Sequence, residues 1–227
     1  MDVSHFAQTA AIYALPVLFA ITLHEAAHGY VARHFGDVTA YAQGRVSLNP
    51  VRHVEVFGTI LVPALLLLST GGKFAFGWAK PVPVNYSALR IPRVHMGLVA
   101  AAGPAANLAM LLAWAALLRG SVELPAGSAT EFLVKLSAAG VVVNLVILVF
   151  NLLPVLPLDG GRILVSLLPR RPAMAFARTE ALSAYLFLGL VMFGVYDSTV
   201  NDGRLIAELL QPLNQLAGRL LRGIAAT

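Results

Sequence analysis

The 227-residue chain contains no cysteine, so it has no disulfide framework and no thiol nucleophile, and any metal it holds must be bound by His, Asp or Glu. Charge is equally scarce. Charged residues make up 12% of the chain, about half the share of a soluble domain, and 58% of residues are hydrophobic with a mean hydropathy of +0.77, which excludes an ordinary soluble protein. No basic run and no basic face interleaved with aromatics occurs, so the net charge of +5 does not signal a nucleic-acid partner. The surplus Lys and Arg instead orient helices in a lipid bilayer. Internal repeats and low-complexity linkers are absent, and the length suits one helical bundle without a large soluble module.

What is present is long and apolar. Four stretches read as membrane helices: Ala10 to Phe35, Val94 to Leu118, Phe132 to Leu153 and Ala181 to Tyr196. The extreme N-terminus carries Asp2 and no Lys or Arg, so the first helix is expected to be retained rather than cleaved as a signal peptide. A fifth apolar run, Gly58 to Ser69, is too short to span and is interrupted by Pro63. Arg33, Arg45 and Arg52 precede it and Lys73, Lys80, Arg90 and Arg93 follow it, so both flanks carry the basic signature of the cytoplasmic side and the run is expected to be re-entrant. Thr39 to Pro50 alternates in polarity and reads as a short strand or hairpin beside the membrane. Phe74 to Pro83 lacks a helical period and reads as an irregular interfacial loop around Trp78. The tail from Gly203 has leucines at helical spacing opposite Arg204, Glu208, Arg219 and Arg222, as in an interfacial amphipathic helix. The expected fold is an all-α polytopic membrane protein of about four to five crossings, with a re-entrant segment and a short β-hairpin or strand. Residues 1–200 form its core and 201–227 its tail.

Within this apolar background, His24 and His28 stand at i and i+4, on one face of the first helix, with Glu25 beside them. In such an H-E-x-x-H arrangement two imidazoles hold an ion, a third protein ligand completes the set, and the Glu takes a proton from water at the open position. The bland alternative is a polar helix end in the headgroup region, but the helix continues through Tyr30, Val31 and Ala32 before Arg33. Asp159 is the candidate third ligand, in a stretch where Pro154 and Pro157 break the incoming helix; it could equally cap the next one. Asn107, Asn144 and Asn151 converge on the same side of the bilayer. Each could bridge helices, and Asn107 and Asn151 are the first choices to donate to a peptide oxyanion.

His24-Glu-Ala-Ala-His28, Gly103-Pro-Ala-Ala-Asn107 and Asn151-Leu-Leu-Pro-Val-Leu-Pro-Leu-Asp159-Gly-Gly-Arg162, in that order, resemble the site-2 protease family of zinc intramembrane metalloproteases. Gly44 to Pro50 and Phe76 to Asn85 resemble its minimal bacterial branch, which lacks PDZ and CBS modules. The resemblance implies Zn2+ held by His24, His28 and Asp159, catalysis by Glu25, and substrate or oxyanion contact by Asn107 and Asn151. It also implies cutting of transmembrane protein substrates after local unwinding, while the apolar stretches and basic flanks indicate a multi-pass protein of the cell membrane with its active site nearer the cytoplasmic face. The Thr39 to Pro50 strand is then a candidate to receive the unwound segment by β-augmentation. The competing readings are a metal transporter, which needs ionisable groups through both leaflets, and an inactive metal-binding scaffold, for which Glu25 is superfluous.

Overall fold

The computed structural model describes residues 3–72, 74 and 76–226; Lys73 and Ala75, in the basic flank and the interfacial loop, lie outside them. The chain begins with α1 (Val3–His34), which contains Pro16. Gly36 ends it at φ +109°, with Asp37 N–H donating to Ala32 O and Gly36 N–H to Arg33 O. This is a Schellman cap, which needs a residue free of a Cβ penalty. The Asp37 carboxylate then accepts from Thr39 N–H at 2.9 Å and opens α2 (Thr39–Ala42).

Among the described residues there is no strand, so the expected hairpin over Thr39 to Pro50 is replaced by this single helical turn and an irregular run. Local bonds satisfy its backbone: Ala42 N–H donates to Val38 O, Gln43 N–H to Thr39 O and Arg45 N–H to Ala40 O. Gly44 then turns the chain at φ +63°. The apolar run starts as a six-residue π-helical stretch at Val56 and continues as α3 (Val62–Ser69), eight residues long. Together they are too short to cross a bilayer.

Two long helices follow, α4 (Pro92–Ser121) and α5 (Ser128–Asn151), then α6 (Asp159–Leu167), α7 (Arg170–Ala177), α8 (Glu180–Val200), α9 (Arg204–Leu209) and α10 (Gln211–Ala226). By length and composition three helices can span a membrane, within α1, α4 and α5, and a bent pair over Arg170–Ser183 and Leu188–Val200 makes up to four. The chain is an all-α membrane protein. Its centre is α4, which packs against α1, α5, α6 and α10. Apolar side chains such as Leu98, Leu108, Leu112 and Phe132 remain exposed on the long helices, as lipid-facing surface requires. The tail helix α10 lays its apolar face on protein: Ala217 joins buried Leu111, Val141 and Leu145, flanked by Leu213, Leu220 and Ile224. Asp197, fully buried at the end of α8, accepts from Leu205 and Ile206 N–H and so turns the chain into α9.

Candidate metal centre

The two histidines leave α1 toward α4, and what receives them is a gap. A Cβ at Gly103 would lie 2.5 Å from both His24 Cε1 and His28 Nε2, so only glycine lets α4 come this close. Asp159 arrives from the other side at the first turn of α6. Gly160 and Gly161 press against the backbone of Leu152 to Leu156, where a Cβ would approach carbonyl and peptide atoms to 2.3–2.7 Å. These contacts bring the His24, His28 and Asp159 ligand atoms within 4.8 Å of one another, all three residues being buried.

The hydrogen bonds behind the rings decide what the front of the site is. His28 Nδ1 is 2.7 Å from the Val99 carbonyl, which can only accept, so Nδ1 carries the proton and Nε2 a lone pair. His24 Nδ1 is 2.6 Å from Asn107 Oδ1, with the same consequence. The two Nε2 atoms are 3.1 Å apart, and Asp159 Oδ2 lies 3.2 Å from one and 3.4 Å from the other. With both imidazoles neutral, three lone-pair donors therefore converge, and Asp159 Oδ2 is buried without a hydrogen-bond partner. Such a donor set suits a divalent cation. Ligands about 2.0–2.2 Å from a tetrahedral zinc are about 3.3–3.6 Å apart, and the separations of 3.1, 3.2 and 3.4 Å need only a slight widening to admit that ion.

The site opens into a cleft of about 380 Å³ lined by Glu25, Val82, Tyr86, Asn151, Leu158 and Arg162, among others. Glu25 Oε2 accepts from Val82 N–H at 2.8 Å. Val82 belongs to a strap, Lys80 to Asn85, pinned at one end by Arg45 Nη2 on Lys80 O (2.8 Å) and at the other by Asp37 Oδ2 on Asn85 N–H (2.6 Å). Arg162 closes the far wall: it pairs with Glu180 at 3.1 Å and lies 5.1 Å above the Tyr86 ring. Burial pushes the Tyr86 phenol above its ordinary range, keeping it a neutral donor.

Peptidase family M50 matches residues 118–194. The curated "Putative zinc metalloprotease YwhC" of Bacillus subtilis strain 168 is 38% identical over 212 residues, which are 88% of this chain and 92% of that protein. The chain belongs to peptidase family M50, the site-2 proteases. "Putative zinc metalloprotease Rip2" of Mycobacterium tuberculosis strain H37Rv is 31% identical over 179 residues, 78% of this chain and 64% of that protein. Its namesake in Mycolicibacterium smegmatis is 31% identical over 147 residues, 63% and 52%. No solved structure is a significant match.

In this M50 chain His24, His28, Glu25, Asp159 and Asn151 all border the cleft, but Asn107 does not. Asn107 is completely buried, and its NH2 donates to Asn144 Oδ1 at 3.0 Å and Ala20 O at 3.4 Å. Asn107 thus stands behind His24, its N–H groups bonded to Asn144 and Ala20, rather than on the cleft where an oxyanion contact was expected of it. Sequence reasoning missed Gly103, Val99 O and the Val82 amide. Gly103 stands in the Gly-Pro-Ala-Ala-Asn motif and was legible there as a small residue; the two backbone groups carry no sequence signal.

Proposed function

We propose that this protein is an intramembrane zinc metalloprotease that hydrolyses peptide bonds of transmembrane protein substrates within or near the membrane. The observation that carries the reading is the convergence of His24 Nε2, His28 Nε2 and Asp159 Oδ2 beside the Glu25 carboxylate in an open cleft. His24, His28 and Asp159 would hold Zn2+, which when bound acidifies a water toward neutrality and polarises the scissile carbonyl.

The chain's own groups do the rest. Glu25, its Oε2 steadied by Val82 N–H, takes a proton from water and returns it to the leaving amine nitrogen. Asn151 spends one N–H on Ile147 O at 3.0 Å, and its second is free to meet the substrate carbonyl oxygen as negative charge builds there. Water must reach these groups, and the basic flanks of the Val56–Ser69 segment support a cytoplasmic-side location for the cleft and a re-entrant path for that segment. On this reading residues 1–200 are the protease core and 201–227 an appended amphipathic tail.

The test pairs metal content with cleavage of a membrane-embedded substrate, for wild type and Glu25→Gln. We expect the variant to retain zinc and lose at least a hundredfold in rate. Cleavage surviving the substitution would overturn Glu25 as the base, and wild-type protein without bound zinc would overturn the metal centre.

A further inference from the structure

Behind the metal site a chain of hydrogen bonds runs across three helices in one direction only. It begins at Gly140 O on α5, which can only accept, so Asn144 must present its NH2 there, at 2.9 Å. That orientation turns Asn144 Oδ1 toward Asn107, whose NH2 donates to it at 3.0 Å and, at the longer distance of 3.4 Å, to Ala20 O. Asn107 Oδ1 is left to face His24 Nδ1 at 2.6 Å. Both asparagines are fully buried, and no other orientation of either amide satisfies these partners.

The alternative state shows what this directionality does. If the Asn107 amide were turned over, its NH2 would donate to His24 Nδ1, and the imidazole proton would move to Nε2, pointing at Asp159 and His28. A histidine in that tautomer cannot ligate a metal through Nε2. Neutral imidazole side chains in water favour this Nε2–H form, so the ligating tautomer has to be imposed.

We propose that Asn144 is a positioning residue of the metal centre: acting through Asn107, it locks His24 in the Nδ1–H tautomer although it touches neither metal nor substrate. The inference rests on the reading of His24, His28 and Asp159 as metal ligands. It assigns to Asn144 a role in metal affinity over and above the bridging of α4 and α5 that a buried asparagine otherwise provides.

The acceptor toward Asn107 is the feature that matters, so the informative pair is Asn144→Leu, which removes it, and Asn144→Asp, which as the buried neutral acid keeps it and still donates to Gly140 O. Zinc affinity of the full-length protein in detergent is measured by competition with a chromophoric chelator, beside thermal unfolding of the metal-free protein. Loss of a partner behind a ligating histidine lowers affinity by about 10–100-fold, and we expect a drop of that order for Asn144→Leu but less than threefold for Asn144→Asp. Unfolding of the metal-free protein reports the helix-bridging contribution separately. Wild-type affinity in Asn144→Leu would overturn the relay, even with lowered thermal stability, and so would equal losses in both variants. Wild-type protein that binds no zinc would instead overturn the metal centre on which the relay depends.

Discussion

At the scale of single residues, the centre depends as much on a missing side chain as on those present. Gly103 lies where α4 faces both imidazoles, and each ring is held from behind, by Asn107 and by Val99 O. A methyl group there cannot be absorbed by swinging either ring, because the swing would break a buried hydrogen bond of 2.6–2.7 Å. Overpacking of this kind costs about 1–3 kcal/mol. Gly103→Ala is therefore expected to bind zinc at least tenfold more weakly while keeping wild-type helical content, measured by metal titration and circular dichroism. Retained affinity would mean that α1 and α4 can separate without consequence for the site. That His24 and His28 face one way was readable in the sequence because i and i+4 on a helix is a fixed geometry. The part Asn107 plays was not: its depth follows from its place in α4, but the direction in which its amide faces depends on Asn144 and Ala20, brought together only by packing.

At the scale of elements, the strap from Lys80 to Asn85 is what ties the peripheral segments to Glu25. Arg45 holds one end and Asp37 the other, and Val82 N–H reaches Glu25 between them. A hydrogen bond to a charged group contributes about 1.5–3 kcal/mol. Val82 precedes Pro83, which already confines it to conformations that proline shares, so Val82→Pro deletes the donor with little backbone change. Cleavage should fall about tenfold or more relative to Val82→Ala, with zinc content equal in both. Matching rates in the two variants would show that the amide does not orient Glu25. The Thr39 to Pro50 misreading has a related cause. Alternating polarity indicates a strand only where a neighbour supplies the ladder, and here the backbone closes its own bonds around Gly44. The tail was legible as an amphipathic helix by its spacing, whereas its resting place on Leu111, Val141 and Leu145 is a tertiary fact.

At the scale of the whole molecule, the centre joins parts of the chain that have little else in common. His24 and His28 come from the first helix and Asp159 from the sixth, and both helices lean on α4, which supplies Gly103 and Asn107 between them. Without a cation the three donors either repel or must take up protons, so the arrangement that brings α1 and α6 together has a less favourable centre until the ion is bound. Metal binding should therefore stabilise the bundle globally. An ion present at about 100 times its dissociation constant adds about 2.7 kcal/mol to the folded state, which for a chain of this size raises the unfolding midpoint by about 5–10 °C. Stripping wild-type protein with a chelator should lower its midpoint in detergent by that amount, and zinc should restore it. His28→Ala should unfold at one temperature with or without chelator, since two donors cannot close the centre. A chelator-induced shift of equal size in that variant would place the stabilising ion elsewhere than at His24, His28 and Asp159.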